Sequence, residues 1–341
     1  MTGADLAWLA LAIGAFVSAL AGAWLVERNA LRLQLVDLPN VRSSHVEPRP
    51  RGGGLGILLG VAVVAVATLS GAAEWPNEVW ILLGGALLVS VVGLWDDVRK
   101  LNVWPRLFAQ VLAAGLVVAG IGGVERLPLP PPADIELGLA APVLTVVWIV
   151  GVTNFFNFMD GFDGLAGGQA MISFGALAWA LWPDAVAGLA LVLLSATFGF
   201  LLRNWSPARI FLGDVGSAFL GFLLAGLPLA AARPARPALV FLVAISMTLF
   251  LMDPVVTLVA RRRRRAAIGA SHRDHAYQQL VAPGRPHGAV VSVLLAVGLA
   301  LTIVAGFAYT RPALGWPAMA IALITFAIEW RVAARRRARR Q

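Results

Sequence analysis

The sequence predicts an all-α protein, a polytopic bundle of about eleven transmembrane helices. Hydrophobic residues make up 59% of the 341-residue chain and the mean hydropathy is +0.81, which leaves too little polar surface to cover a soluble domain. Apolar runs of about 20 residues, the length that crosses a bilayer, recur along the whole chain. Basic residues also concentrate in alternate connections, as they do in multi-pass membrane proteins.

We expect one integral membrane domain, 1–341, in which the connections between spans carry the chemistry. The predicted spans are residues 5–26, 53–73, 79–95, 104–122, 138–157, 165–182, 185–202, 211–230, 237–260, 288–308 and 312–330. The loops of chemical interest are residues 27–52, 96–104, 157–165, 203–214 and 261–287. The first span is expected to be retained rather than cleaved as a signal peptide, because no basic residue precedes its apolar core.

The distribution of the 27 Lys and Arg residues predicts the orientation. All but four lie in connections on one side of the membrane, and the exceptions are Arg126, Arg233, Arg236 and Arg311. The positive-inside rule therefore places the amino terminus outside and the carboxyl terminus in the cytoplasm. Basic loops near anionic headgroups account for the net charge of +9, so membrane lipids, and no nucleic acid, are the expected partners. The chain has no cysteine, which excludes disulfides and thiolate metal sites.

The most informative stretch is N-F-F-N-F-M-D-G-F-D-G-L-A-G-G, residues 154–168, at the end of the fifth span. Asn154, Asn157 and Asp160 recur at every third position and so share one broad helical face. Asp160 and Asp163 are each followed by a glycine, which marks two turns. A helix end that presents carboxylates and amides to one point is typical of a site for a hard divalent cation or a phosphorylated substrate. The alternative is that these residues only end one span and cap the next.

Three further loops carry candidate residues. Asp96 and Asp97 end the third span, and adjacent carboxylates are commonly kept together by a cation or a proton transfer. Gly52–Gly54 lead into the second span, where bare backbone can approach a ligand closely. A G-D-V-G-S motif containing Asp214 opens the eighth span. Each has a simpler interpretation, as an exposed loop, a flexible hinge and a helix cap respectively.

The ninth span holds Asp253, a carboxylate deep in the membrane that should face the bundle interior, and Pro254, where we expect a kink. The basic run that follows, 261–265, is most simply a topogenic stop at the membrane surface. His272 and His275 then share a helical face. Two histidines are too few for a zinc site, so we expect them to donate hydrogen bonds to a sugar or a phosphate.

These motifs follow the first, third, fifth, seventh and ninth spans, so all of them are predicted to lie on the cytoplasmic face. The outer connections carry no histidine and no paired carboxylates. One shared site is the economical explanation, with Mg²⁺ or Mn²⁺ held by carboxylates and by substrate phosphates. Such a site, enclosed by apolar helices, would join a water-soluble phosphorylated substrate to a lipid. We therefore predict phosphoryl-group transfer onto a membrane lipid.

Four segments together carry a family resemblance. They are Asp96-Asp97, N-x-x-N-x-x-D-G-x-D-G-L-A from 154 to 166, G-D-V-G-S from 213 to 217 and D-x-P-N-x-R-x-x-H from 37 to 45. This combination resembles the polyprenyl-phosphate N-acetylhexosamine-1-phosphate transferases of glycosyltransferase family 4. That family includes undecaprenyl-phosphate GlcNAc-1-phosphate transferases and phospho-N-acetylmuramoyl-pentapeptide transferases.

The resemblance implies Mg²⁺-dependent transfer of a HexNAc-1-phosphate from a UDP-sugar to undecaprenyl phosphate, with release of UMP. It implies a multi-pass enzyme of the bacterial cytoplasmic membrane with its active site on the cytoplasmic face, and it leaves a homodimer open. Direct attack on the β-phosphorus and an aspartyl-phosphate intermediate both stay open.

The resemblance also implies roles for individual residues. The catalytic positions are Asp96, Asp97, Asp160 and Asp163. The metal positions are Asp214, as the principal ligand, and Asp160. The substrate-binding positions are Asn154, Asn157, Asn204, His45, Arg51, His272, Arg273 and His275. Asp96 and Asp97 would position the lipid phosphate or deprotonate it, Asn157 and Asp160 would line the uridine and phosphate pocket, and the histidines would lie near the diphosphate or the sugar.

One segment departs from the family pattern. Residues 272–278 read H-R-D-H-A-Y-Q, where many members carry an H-x-H-H motif. This form is similar to the branch that initiates O-antigen-type glycans with 6-deoxy-N-acetylhexosamines. The expected donor is therefore a 6-deoxy-HexNAc such as FucNAc or QuiNAc, or GlcNAc, in lipopolysaccharide O-antigen or cell wall synthesis.

Two other functions compete with this interpretation. A membrane-embedded Mg²⁺-dependent prenyltransferase would use two similar Asp-rich repeats, whereas the motifs here do not repeat Asp96-Asp97. A lipid or solute transporter would carry internal repeats and polar residues near mid-membrane, where only Asp253 is predicted to lie.

Overall fold

The computed structural model describes residues 3–37, 47–265, 274–281 and 287–338, and these are almost entirely helical. The helices are α1 (Gly3–Asn29), α2 (Gly54–Leu69), α3 (Asn77–Arg99), α4 (Val103–Ile121), α5 (Ala141–Met159), α6 (Leu165–Leu181), α7 (Ala185–Asn204), α8 (Gly213–Ala230), α9 (Arg236–Ser246), α10 (Thr248–Arg263), α11 (Ala276–Leu280), α12 (Gly288–Thr310) and α13 (Gly315–Ala338). Two short strands, β1 (Val36–Asp37) and β2 (Arg49–Pro50), pair antiparallel between α1 and α2. The expected helical bundle is confirmed over the described residues.

Eight of the described helices are long and apolar enough to cross a membrane, and a ninth span results if the bent pair α9 and α10 counts as one. All the apolar runs found in the sequence are helical, but α2 and α6 have only 16 and 17 residues. A helix of that length rises about 25 Å, less than the ~30 Å hydrocarbon core. A multi-pass membrane protein is thus supported, whereas the count of about eleven spans and the orientation of the termini stay predictions.

The ninth predicted span is broken rather than continuous. α9 ends at Ser246, α10 begins at Thr248, and the two are bent by 70°. The break precedes Pro254, where the kink was expected, and Pro254 lies inside α10. A side chain of a neighbouring helix satisfies the backbone at the break, because Gln169 Nε2 donates to the Ser246 carbonyl oxygen at 3.0 Å.

α8 is the central helix of the bundle. It is buried along almost its whole length and packs against α2, α3 and α5. Glycines permit the closest approaches. A Cβ on Gly54 of α2 would lie 2.2 Å from the Gly216 Cα, and one on Gly93 of α3 would lie 2.5 Å from the Asp214 carbonyl oxygen. These contacts hold the first turn of α8, which carries Asp214, against α2 and α3.

We expect Gly54→Ala to destabilise the protein, because the added methyl would overlap backbone rather than a flexible side chain. Overpacking of this kind costs about 1–3 kcal/mol. The measurement is the midpoint of thermal unfolding in detergent. The matched control is Gly84→Ala in α3, where nothing lies within 4 Å of the added atom. Equal midpoints for the two variants would contradict the close packing of α2 on α8.

Candidate active site

Asp97 ties the end of α3 to the start of α8. Its Oδ1 accepts a hydrogen bond from the Asp214 backbone N–H and its Oδ2 accepts one from the Val215 N–H, both at 3.0 Å. A carboxylate in this position satisfies free amides at the positive end of a helix. Gly213 permits the approach, since its φ is 77° and a Cβ there would lie 2.7 Å from Asp97 Oδ2.

Arg51 binds the same carboxylate from the connection between α1 and α2. Its Nη2 lies 3.2 Å from Asp97 Oδ1 and also donates to the Asp97 carbonyl oxygen. Asp97 is only 5% exposed, and a buried carboxylate needs such partners in place of water. Three of the predicted loops therefore meet at this one side chain.

The glycine-rich segment 52–54 approaches its own chain, whereas the sequence suggested an approach to a ligand. The Gly53 N–H donates to the Phe211 carbonyl oxygen at 2.8 Å, and the Gly54 N–H donates to the Leu212 carbonyl oxygen at 2.9 Å. A Cβ on Gly53 would lie 2.4 Å from the Phe200 ring. The segment joins two loops backbone to backbone.

Arg106, in the first turn of α4, joins two further carboxylates at this corner. Its Nη1 lies 3.0 Å from Asp96 Oδ2 and 3.0 Å from Asp214 Oδ2. Asp96 is also held by the Leu101 N–H, which donates to Oδ1 at 2.5 Å. Two carboxylates from α3 and α8 thus converge on one positive charge. We call Asp96, Arg106 and Asp214 the acidic corner.

A cleft beside the acidic corner is lined by polar side chains of α4, α5 and α8. They are Arg106, Gln110, Asn154, Asn157 and Asp214. Asn154 Nδ2 donates to Gln110 Oε1 at 2.6 Å, which orients both amides. Gln110 lies one turn after Arg106 and hence on the same face of α4. A guanidinium and amides next to carboxylates form a donor set suited to phosphate oxygens.

The loop between α5 and α6 is fastened to the loop between α7 and α8. Asn204 Oδ1 accepts from the Gly164 N–H at 3.0 Å, and Asn204 Nδ2 donates to the Ile210 carbonyl oxygen at 2.9 Å. Asp163 Oδ2 accepts from the Ala208 N–H at 3.0 Å. Both ends of the Asn204 amide are engaged with backbone and the residue is buried, so Asn204 fastens the two loops together, and its contact with substrate stays a prediction.

His287 lies against Asp163. Its Nε2 is 3.3 Å from Asp163 Oδ2, and its ring stacks on Phe162 with centroids 4.9 Å apart. Burial would raise the pKa of Asp163, but His287, the Ala208 N–H and the charge of Arg49 outweigh burial and lower that pKa below its ordinary value. Asp163 is therefore a carboxylate at neutral pH.

Asp160 has the opposite environment. It follows the last residue of α5, and burial, together with the negative charges of Asp97 and Asp163, raises its pKa to about 7. A carboxyl with such a pKa exchanges protons readily at neutral pH.

Asp253 holds α11 against α10. The Ala276 N–H donates to its Oδ1 at 3.0 Å and the Tyr277 N–H donates to its Oδ2 at 3.1 Å. His275 Nδ1 lies 3.1 Å from Oδ1. The carboxylate faces the bundle interior, as expected, and these three partners lie in the segment that begins at His275 and forms α11.

Tyr277 joins α11 to the loop that contains Asp160. Its hydroxyl donates to the Phe158 carbonyl oxygen at 3.3 Å, and its ring meets the Phe162 ring edge-on at 4.9 Å. A Cβ on Gly161 would lie 2.2 Å from the Tyr277 hydroxyl oxygen. The fifth predicted loop therefore joins the same network as the other four.

The structure brings together the predicted site residues that it describes. They are Asp96, Asp97, Asp160, Asp163, Asp214, Asn154, Asn157, Asn204, Arg51 and His275. His45, His272 and Arg273 lie outside the described residues. Within the described ranges, no group of three or more His, Asp or Glu side chains is arranged to hold a metal ion. The pairing of Asp160 with Asp214 as metal ligands thus stays a prediction.

Sequence reasoning misses Arg106, Gln110 and His287. It counts Arg106 only as a basic residue of a cytoplasmic loop. The sequence feature that could have identified Arg106 is an Arg in the first turn of a span, at the same predicted face of the membrane as Asp96-Asp97. Gln110 lies one helical turn later. No local pattern marks His287, because its contact with Asp163 joins distant parts of the chain.

Residues 79–232 match the profile of a family described as glycosyl transferase family 4. A probable undecaprenyl-phosphate N-acetylglucosaminyl 1-phosphate transferase of Bacillus subtilis is 31% identical over 286 residues, covering 82% of this chain and 78% of the relative. A decaprenyl-phosphate N-acetylglucosaminephosphotransferase of Mycobacterium tuberculosis is 31% identical over 301 residues, covering 78% and 73%. A phospho-N-acetylmuramoyl-pentapeptide-transferase of Lactiplantibacillus plantarum is 32% identical over 191 residues, covering 52% and 59%.

We expect Asp160 to make the stability of the protein fall as the pH rises. A carboxyl whose folded-state pKa is about 7, above its unfolded value of about 3.9, binds its proton more tightly in the folded protein. Its contribution is therefore full below the unfolded pKa and is lost as the pH rises through about 7. Asp160→Asn is nearly isosteric and uncharged. The thermal midpoint of this variant should therefore rise relative to that of the wild type as the pH increases from about 5 to 8. Parallel curves would show that the pKa of Asp160 is not raised.

Proposed function

The chain belongs to glycosyl transferase family 4, and we propose that it transfers a sugar 1-phosphate from a UDP-sugar to a polyprenyl phosphate. In this reaction an oxygen of the lipid phosphate bonds to the β-phosphorus of the UDP-sugar. The bond from that phosphorus to the bridging oxygen breaks, and UMP leaves with its electron pair. The protein is thus an enzyme, a phosphotransferase.

The observation that supports this function most strongly is the acidic corner. Its charges lie at the ends of apolar helices, where a lipid phosphate and a water-soluble diphosphate can both arrive. The named activities of the relatives are transfers of a sugar phosphate to a polyprenyl phosphate. They favour this reaction over prenyl transfer and over transport.

The acidic corner fits a divalent cation. Mg²⁺ is commonly bound by one or two carboxylates, while water and substrate phosphates complete its shell. Asp96 and Asp214 already lie around one positive charge, each 3.0 Å from the same Arg106 nitrogen. We propose that these two residues hold Mg²⁺ or Mn²⁺, with Asp214 as the principal ligand. The cation would neutralise the charge that develops on the diphosphate.

Asp97 is proposed to act through α8 and not as a base. Its two oxygens are occupied by the α8 amides and by Arg51, so it fixes the position of Asp214. A lipid phosphate is largely ionised at neutral pH, because its second pKa is about 6. Phosphoryl transfer then depends mainly on positioning and charge neutralisation, which the acidic corner supplies.

The cleft beside the acidic corner is proposed to bind the diphosphate of the donor. Arg106 would contact phosphate oxygens, and Asn157 would add a neutral hydrogen-bond partner from α5. Asp160, at the end of α5, would lie at the phosphate and uridine side. These positions agree with the roles that the sequence resemblance implies.

The donor is proposed to be a UDP-N-acetylhexosamine, and the acceptor undecaprenyl phosphate. The H-R-D-H-A-Y-Q segment, 272–278, supports a 6-deoxy sugar such as FucNAc or QuiNAc, with GlcNAc as the other candidate. The glycan would then belong to the O-antigen or cell wall class, and the reaction would occur at the cytoplasmic face of the inner membrane.

We expect the purified protein to release UMP when it is given undecaprenyl phosphate, Mg²⁺ and the correct UDP-HexNAc. A panel of UDP-GlcNAc, UDP-QuiNAc and UDP-FucNAc identifies the donor. Chelation of the metal with EDTA should abolish release, and added Mg²⁺ should restore it. A folded preparation that releases no UMP from any of these donors would refute the transferase.

Asp214→Asn should lower UMP release by at least about 100-fold, because it removes the charge of the principal metal ligand and leaves the size of the side chain unchanged. The measurement is the initial rate at saturating Mg²⁺. Glu125→Gln is the control, since Glu125 pairs with Arg233 on an exposed connection far from this site. Similar rates for Asp214→Asn and Glu125→Gln would reject the assignment of Asp214.

A further inference from the structure

The proposed reaction assigns no role to Asp253, although a buried carboxylate of this kind calls for an explanation. Asp253 is fully buried in α10, and a buried carboxylate is costly unless its oxygens are hydrogen-bonded. Its partners belong to two parts of the chain. Oδ1 contacts Thr257 Oγ1 at 2.9 Å, the Ala276 N–H at 3.0 Å and His275 Nδ1 at 3.1 Å, and Oδ2 contacts the Tyr277 N–H at 3.1 Å.

We infer that Asp253 is a positioning residue of the transferase, which orients His275 and seats α11 against the loop that carries Asp160. The inference rests on the function proposed above. It assigns to Asp253 no contact with substrate. Its effect passes through His275 and Tyr277.

The contact with His275 fixes the imidazole ring. A ring nitrogen that faces a carboxylate carries its proton toward that carboxylate, so Nδ1 is the protonated nitrogen. Nε2 is then the nitrogen turned away from Asp253. The ring lies beside Phe158, with centroids 6.5 Å apart, two residues before Asp160. Asp253 thus sets both the tautomer and the direction of the His275 ring.

The contacts with backbone amides seat α11. This helix has only 5 residues, too few to be stable alone. Asp253 supplies a negative charge at its amino end, and Arg336 of α13 donates to the Leu280 carbonyl oxygen at its carboxyl end. Both charges have the sign that a helix dipole favours.

α11 in turn supports the loop that carries Asp160. The Tyr277 hydroxyl occupies the space beside Gly161 where a Cβ would lie, and it donates to the Phe158 carbonyl oxygen. A shift of α11 would therefore move the residues on either side of Asp160. Asp253 controls that shift from α10, the half of the broken span that follows the 70° bend.

The test compares Asp253→Asn with the wild type in UMP release and in hydrogen–deuterium exchange. Asn keeps the shape but places an NH₂ group against backbone N–H donors. We expect turnover to fall by about 100-fold, as expected for a misplaced catalytic group, and exchange to rise within residues 276–281. Unchanged exchange there, or increased exchange with normal turnover, would overturn the inference.

A double-mutant cycle separates positioning from a general loss of stability. If Asp253 acts through His275, then Asp253→Asn with His275→Gln should lose less turnover than the product of the two single losses. Full multiplication of the two losses would overturn the inference. General destabilisation alone would not produce this coupling.

Thr257→Val provides a milder variant if Asp253→Asn fails to fold. It removes one hydrogen bond to Asp253 and should lower turnover about threefold, with a smaller rise in exchange at 276–281. Thr68→Val in α2 is the matched control, since its hydroxyl bonds only to its own helix at Ala65, and it should change neither quantity. Thr257→Val that behaves like this control would count against the inference.

If the wild type releases no UMP, the proposed function fails, while the exchange measurement still tests the seating of α11.

Discussion

The carboxylate of Asp97 joins three parts of the chain, and the geometry of the site depends on that contact. It accepts hydrogen bonds from the first amides of α8 and pairs with Arg51 from the connection after α1. Asp97 itself lies in the last turn of α3. Loss of Arg51 would leave the buried carboxylate uncompensated, which is strongly destabilising, and loss of an α8 amide would leave one of its oxygens without a hydrogen bond. The position of Asp214, at the second residue of α8, follows from where Asp97 holds that helix.

The charges around this contact do not balance. Two guanidinium groups, Arg51 and Arg106, face four carboxyl groups, those of Asp37, Asp96, Asp97 and Asp214, so the carboxyl groups exceed the guanidinium groups by two. Asp160, whose pKa is raised to about 7 partly by Asp97, feels the same excess. A site of this kind attracts a further cation, and a bound cation makes it attractive to phosphate. The transfer of a phosphorylated sugar to a phosphorylated lipid needs this combination.

The sequence predicts the helices and the loops that carry the candidate site residues, because both produce local sequence patterns. Hydropathy finds each apolar run, and repeated membrane crossings bring alternate loops to one end of the bundle, where Asp97 contacts the first turn of α8, which carries Asp214. The break at Met247 is not predictable in this way, since Gln169 stabilises it from another helix. Pro254, the only local signal, points to the wrong position.

The roles of individual side chains are harder to predict than their location. An Asp-Asp pair indicates a cation or a proton transfer, but it does not reveal that Asp97 accepts from the first amides of α8 while Asp96 contacts Arg106. Asn204 looks like a substrate ligand in a motif, yet its amide joins Gly164 to Ile210. Such roles depend on distances between residues that are far apart in the chain.

The most direct test of the account is a cryo-EM structure of the protein with Mg²⁺ and the UDP-sugar that it uses. We expect density for the diphosphate in the cleft between Arg106 and Asn157, with the cation between Asp96 and Asp214. Nucleotide bound elsewhere on the bundle, with the acidic corner unchanged and Arg106 still between its two carboxylates, would contradict it.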